Sequence, residues 1–214
     1  MSEPTWEVAR LFPRQGHWTI EEYLSLEATG GCLVEFVDGV LEFPKMPKRM
    51  HQRIVRYLMR VIEKVIGAGV GGEVLDAPFP VYVEPSRYRE PDIVYQRPGR
   101  PDADADYADG ADLVIEVVSD DVGDRKRDLV TKRAEYAQAG IPEYWIVDPE
   151  TRTIHVLTLD GVEPGGAYRV HGDFKAGETA SSVLLDGFAV SVDEVFKAGD
   201  GEANMTENAP SGRG

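Results

Sequence analysis

Cysteine is nearly absent from this chain: Cys32 is the single one among 214 residues. A lone thiol excludes an intrachain disulfide and a Cys/His zinc spacing, and points to a reducing compartment. No apolar run approaches the ~20 residues that a membrane helix needs. The first residues, Met-Ser-Glu-Pro-Thr-Trp-Glu, are polar and acidic, unlike a signal peptide, so the cytoplasm is the expected location. Positive charge is scarce too. Lys and Arg number 23 against 38 Asp and Glu, a formal net charge of −15 that opposes indiscriminate binding to a polyanion. There is no Gly-rich phosphate loop, no HExxH pair and no Gly-x-Ser-x-Gly elbow. What is present is ordinary for a soluble globular protein, with 42% hydrophobic and 29% charged residues.

The length fits one domain with a sizeable core, or one domain plus tails. Residues 1–17 read as an irregular arm, 18–197 as the folded domain, and 198–214 as a disordered tail rich in Gly, Asn, Ser and Glu. Thr19-Ile-Glu-Glu22 has the spacing of a helix capping box. Residues 33–37 and 40–43 flank Asp38-Gly39 and predict a β-hairpin. From residue 48 to about 66 the period turns helical, with Ile54, Leu58, Val61, Ile62 and Val65 on one face. Residues 74–83, 91–95 and 113–118 read as strands, 124–139 as a helix, and 143–148 with 153–159 as a hairpin. Residues 168–170 and 183–190 read as further strands, and 192–196 as a turn of helix. Strand, strand, helix, strand with flanking hairpins describes a mixed-sheet α/β or α+β domain.

Two of these strands carry one carboxylate each where Val or Ile is usual. Pro91-Asp92 heads Ile-Val-Tyr, and Glu116 sits at the centre of Leu-Val-Ile-Glu-Val-Val. Burying a carboxylate costs several kcal/mol unless a cation or hydrogen bonds compensate it. Side chains alternate along a strand, so Ile93 and Ile115 face away from the acids, and adjacent strands would bring both carboxylates onto one sheet face. Two hard oxygen ligands there suit one divalent ion, Mg²⁺ or Mn²⁺, and with it hydrolysis of a phosphodiester. Spacing alone leaves a second reading open, in which both acids are exposed at strand edges.

The following helix adds a line of polar side chains. Asp128, Lys132 and Tyr136 stand at i, i+4 and i+8. Leaning back over the sheet, that line would put the Lys132 ammonium beside Glu116, to orient or deprotonate a water or to neutralise charge on a phosphorane. A solvated lysine paired with Asp128 is the competing reading.

The combination Pro91-Asp92-Ile-Val-Tyr, Leu113-Val-Ile-Glu116-Val-Val-Ser119, Asp128-x-x-x-Lys132-x-x-x-Tyr136 and Ala139-Gly-Ile-Pro-Glu143-Tyr-Trp-Ile-Val-Asp148 resembles the Uma-two family of endonucleases. That family belongs to the restriction-endonuclease-like PD-(D/E)xK superfamily. The resemblance spans residues 18–196 and implies a central mixed sheet flanked by helices, with peripheral hairpins. It also implies nucleic acid, DNA in the first instance, as substrate, and a homodimer suited to cutting two strands. By resemblance Asp92 and Glu116 are the metal ligands, Glu35 is the N-terminal acid and His51 the motif histidine, with Glu90, Asp128 and Tyr136 supporting. The superfamily lysine stands two residues after the second acid, where this chain has Val118; Lys132 is then the lysine moved to the helix. A catalytically silent descendant acting as a binding or regulatory module, and a hydrolase of a small phosphate ester, are the alternatives.

His51 falls on the apolar side of its helix, as a core histidine or a donor beside the metal or phosphate. On the opposite face Lys45, Arg49, Arg53, Arg56, Arg60 and Lys64 keep within about a 100° arc, a phosphate-tracking surface, a subunit contact or a solvated face. Asp102-Ala-Asp104-Ala-Asp106 lacks the Gly and Glu of a calcium loop and reads as a mobile acidic connection. Tyr144 and Trp145 read as packing anchors.

Overall fold

The computed structural model describes residues 12–30, 33–100, 105–119, 125–160 and 166–202. Residues 1–11 of the arm expected over 1–17 and 203–214 of the tail expected over 198–214 lie outside these residues, as do 101–104 of the acidic connection. The order of elements is α1 (Ile20–Gly30), β1 (Glu35–Val37), β2 (Val40–Glu42), α2 (Arg49–Val65), β3 (Glu73–Asp76), β4 (Val81–Glu84), β5 (Arg87–Arg89) and β6 (Ile93–Gln96). Then follow β7 (Leu113–Val117), α3 (Lys132–Gln138), β8 (Glu143–Asp148), β9 (Thr153–Leu159), β10 (Tyr168–Phe174), β11 (Thr179–Ser181), β12 (Ala189–Ser191) and α4 (Val192–Asp200).

The main sheet has six strands in the order β10-β9-β8-β7-β6-β3. Only β7 and β8 run parallel within it, joined by the α3 crossover; the other pairs are antiparallel. This is the expected mixed sheet with flanking helices. Strand alternation divides the core in two. Ile93, Ile115, Trp145 and Val147 pack with Ile54, Leu58 and Ile62 of α2 and with Val195 and Phe196 of α4. Val94, Val114, Tyr144 and Ile146 pack with Tyr136 and Ala137 of α3. Glu116, an even-numbered neighbour of Val114 on β7, therefore faces the α3 layer. Trp145, fully buried, packs 4.8 Å from the Phe188 ring, in keeping with an anchoring role.

A second sheet, β2-β1-β5-β4, carries the Asp38-Gly39 hairpin. Asp38 (φ 49°) and Gly39 (φ 80°) both take the left-handed region that such a turn demands. A Cβ on Gly39 would meet the Gly16 carbonyl carbon at 2.9 Å. The capping box closes reciprocally: Glu22 Oε2 accepts from the Thr19 N–H at 2.9 Å and Thr19 Oγ1 from the Glu22 N–H at 3.2 Å.

Several elements differ from the sequence expectation. The strand expected over 74–83 is two strands in different sheets, because Pro78 and Pro80 cannot continue a ladder. The apolar run 183–190 is mostly loop: Glu143 Oε2 accepts the N–H groups of Val183 and Leu184 at 2.8 and 2.9 Å, which removes them from strand pairing. The helix expected over 124–139 contains a widened turn at Arg127–Thr131 before α3. The acidic connection is pinned at Ala108, which exchanges backbone hydrogen bonds with Pro80 and Tyr82 at 2.8 Å. The last helix runs to Asp200, past the expected helix end at 196 and the expected domain end at 197, and closes at Gly201 (φ 95°). Arg53, in the basic stripe, donates to the carbonyls of Gly199 and Asp200 at the end of α4, while Arg49, Arg56, Arg60 and Lys64 are exposed. No helix of the described residues is long and apolar enough to cross a membrane.

Candidate active site

Ile93 of β6 pairs with Ile115 of β7, so Asp92 comes opposite Glu116 at the next position. Asp92 Oδ2 accepts from the Val117 N–H at 2.7 Å, which draws the carboxylate over β7. The same oxygen lies 3.0 Å from His51 Nε2 in the first turn of α2. Glu116 Oε1 accepts two donors from the α3 layer, Lys132 Nζ and the Tyr136 hydroxyl, each at 2.7 Å. Each acid thus commits one oxygen to protein donors. The other two, Asp92 Oδ1 and Glu116 Oε2, take no hydrogen bond from the described residues.

The line of three on the helix does lean over the sheet. Lys132 Nζ reaches Glu35 Oε1 at 2.9 Å and Asp128 Oδ1 at 3.6 Å besides Glu116. Lys132 is buried, so the solvated-lysine reading does not hold. Val118 is buried with Tyr136 and Ile146 beneath α3 and offers no charge there.

Glu90 is occupied elsewhere: its Oε2 accepts from the Val34 N–H at 3.1 Å and ties β5 to the segment before β1. The Tyr144 hydroxyl donates to the Asp128 carbonyl at 2.9 Å, fixing the widened turn to β8.

Arg89 is the main site residue that reading the sequence missed. It is 2% exposed and joins Glu35 (2.8 Å), Glu42 (2.7 Å) and, through two nitrogens, Glu135 (2.8 and 2.9 Å). This fork ties the small sheet to α3 and fixes the carboxylate that holds Lys132. A faint signal was available in Arg87-Tyr-Arg89, because alternation puts Arg89 with Arg87 on one face.

The charges respond to burial in opposite ways. Desolvation raises the Glu35 pKa, yet Lys132, Arg89 and Arg127 overcome it and leave it at about 2. Desolvation dominates at Glu116, and Asp128 and Asp92 add to it against Lys132, so its pKa rises to about 8. Asp128 is likewise raised, by burial first. Burial works against the Lys132 proton, but Glu116, Glu35 and Asp128 hold its pKa well above the usual lysine value. Burial also works against the His51 proton; Asp92, with Glu116 and Asp128 behind it, more than offsets this.

The chain as a whole matches a known family. The sequence profile of the Uma2 family, described as "Putative restriction endonuclease", fits residues 20–193. The chain belongs to that family. Its Uma2 fold is shared by the crystal structure of "a putative nuclease belonging to DUF820" from Anabaena variabilis, with a TM-score of 0.66 and 20% identity over 87% of this chain and 99% of that one. No curated protein matches the chain. Uma2 membership and the nuclease fold together support a nuclease.

Among the described residues, no group of three or more His, Cys, Asp or Glu is gathered to hold an ion by protein ligands alone. The donor set nevertheless fits a hard divalent ion. Two strand carboxylates each present an oxygen without a protein donor. Asp128 Oδ1 is buried with no hydrogen bond, and burial, with the Asp128 and Asp92 charges behind it, raises the Glu116 pKa against Lys132. Mg²⁺ characteristically takes one or two carboxylates and fills its remaining positions with water and substrate phosphate.

Proposed function

We propose that this chain is a divalent-metal-dependent endonuclease that hydrolyses nucleic-acid phosphodiester bonds. The observation that carries the reading is the juxtaposition of Asp92 and Glu116 across β6 and β7, with Lys132 Nζ 2.7 Å from Glu116 Oε1. Asp92 and Glu116 would hold Mg²⁺ or Mn²⁺, which supplies Lewis-acid charge to the phosphoryl oxygens. Lys132 is held protonated, so it acts as a fixed positive charge rather than as a base. Its ammonium donates to the attacking water or to a phosphoryl oxygen as negative charge builds there. Tyr136 shares Glu116 Oε1 with Lys132 and keeps that carboxylate from rotating. His51 and the Val117 N–H do the same for Asp92. Glu35, anchored by Arg89, positions Lys132 from the other side.

Lys132→Ala tests this assignment directly. Cleavage of DNA or RNA substrates with Mn²⁺ should fall by about 100- to 1,000-fold, the usual cost of losing one charge-stabilising donor. Calorimetry should still register Mn²⁺ binding. Unchanged cleavage in the variant refutes the role given to Lys132.

A further inference from the structure

Helix α2 carries charge of the opposite sign to the chain as a whole. Its 17 residues hold five Lys and Arg against the single acid Glu63, a net +4 in a protein of −15. Ile54, Leu58 and Ile62 on its inner side are fully buried against the main sheet. Arg53 has a structural task, donating to the Gly199 and Asp200 carbonyls at the end of α4 at 3.3 and 3.2 Å. Arg49, Arg56, Arg60 and Lys64 have none: all four are exposed and make no hydrogen bond or ion pair with the described residues. At about 100° per residue they keep within about an 80° arc, and at ~1.5 Å per residue they extend over about 22 Å. This ridge begins at the site, because His51, two residues after Arg49, lies with Nε2 3.0 Å from Asp92 Oδ2.

We propose that the outer face of α2 is a phosphate-backbone contact, taking the stretch of nucleic-acid substrate that leads away from the scissile bond. The proposal rests on the phosphodiester-hydrolysing reading and adds to it a second hold on the substrate. Charge selects the partner. Three of the four side chains are arginines, whose planar donor forks match phosphate oxygens. One strand of a duplex places a phosphate every ~3.4 Å along the axis, so ~22 Å of ridge faces about six of them. Arg56, Arg60 and Lys64 stand at i, i+4 and i+8, like charges that repel one another along the helix, and a polyanion relieves that repulsion. Of the α4 acids, Glu194 is paired with Lys197 (3.5 Å) and Asp200 with Arg152 (3.1 Å), which blunts their opposition. A lasting contact with a second copy is built around an apolar centre, and no large apolar side chain between Met50 and Val70 is exposed. An anionic membrane surface would draw on the apolar side of the helix, which is already packed in the core. Backbone contact carries no base information, so this hold is independent of sequence.

Fluorescence anisotropy of the full chain in metal-free buffer tests the ridge apart from catalysis. The probes are a labelled DNA duplex and a labelled single strand of equal length, each long enough to span α2. In the triple variant Arg56→Gln, Arg60→Gln, Lys64→Gln affinity should fall by about tenfold or more at low salt. Losing three phosphate contacts should flatten the plot of log affinity against log salt by about 2.7 for the duplex or about 2.1 for the single strand. The probe that loses more identifies which form of backbone lies on the ridge. Glu63→Gln removes the one opposing acid of the helix and should tighten binding. All four side chains are exposed, so the variants should fold. Turnover with Mn²⁺ then separates the hold from the chemistry. KM for the long probe should rise in the triple variant, while the rate on bis(p-nitrophenyl) phosphate, too short to reach α2, stays at the native value. Native affinity and slope in the triple variant, or a native chain that binds neither probe, overturns the proposal whether or not cleavage proceeds. A sedimentation coefficient that changes in the triple variant also overturns it, and assigns the ridge to a subunit contact. Binding that is lost in the variant, with no cleavage of any probe by the native chain, leaves the ridge standing and contradicts the hydrolytic reading.

Discussion

Replacing Arg89 by Met would keep most of the side-chain stem and remove every donor of the fork. Glu35, with no exposed surface, would lose its 2.8 Å partner and keep Lys132 at 2.9 Å, with Arg127 more distant at 3.9 Å. Glu135 would lose both nitrogens of its paired contact. Removing one partner of a buried ion pair costs about 3–5 kcal/mol, because the remaining charge stays desolvated. For a chain of this size each kcal/mol moves Tm by about 2–4 °C, so Arg89→Met should lower Tm by roughly 6–20 °C. The loss should depend on pH. In the native protein the folded Glu35 pKa is depressed to about 2, below the ordinary 4.5. Its contribution is therefore present above about pH 4.5 and lost as pH falls through about 2. Without Arg89 the folded pKa moves up, so the gap between native and variant narrows on acidification. Differential scanning calorimetry across a pH series, with urea denaturation at each point, measures it. A Tm change below about 2 °C, or a gap that widens in acid, refutes the role assigned to the fork.

Glu116 gives the opposite sign. Its folded pKa of about 8 lies above the ordinary 4.5, so its contribution is fully present below about pH 4.5 and lost as pH rises through 8. Metal-free native protein should lose stability across that window while Glu116→Gln does not, as followed by scanning fluorimetry; parallel pH profiles would contradict the desolvation argument. Tyr136→Phe removes one of two donors to Glu116 Oε1 and should weaken Mn²⁺ binding or turnover by roughly 10- to 100-fold, the usual effect of a residue that orients a ligand. Calorimetry and cleavage rates equal to native would show that Lys132 alone orients the carboxylate.

Local signals carried much of this architecture. The Asp38-Gly39 hairpin and the Thr19 capping box depend on residues a few positions apart, and both form as their spacing predicts. Asp92, Glu116 and the Asp128, Lys132, Tyr136 line were legible because a carboxylate in an apolar strand and an i, i+4 series are each local patterns. Arg89 was not, since its burial depends on Glu35, Glu42 and Glu135, all at least 46 positions away. The run 183–190 failed as a strand for a similar reason. Its backbone N–H groups are taken by Glu143, some 40 residues earlier. The break between β3 and β4 was different, because Pro78 and Pro80 stood in plain view and alternation was given too much weight over them.

Titration calorimetry with Mn²⁺ on the native chain, Asp92→Ala and Glu116→Ala, run beside cleavage of DNA and RNA substrates, bears most directly on the central claim. The account predicts Mn²⁺ binding to the native protein, its loss in either variant, and loss of cleavage in parallel. A native chain that binds no Mn²⁺, or binding that persists unchanged in both variants, would contradict it.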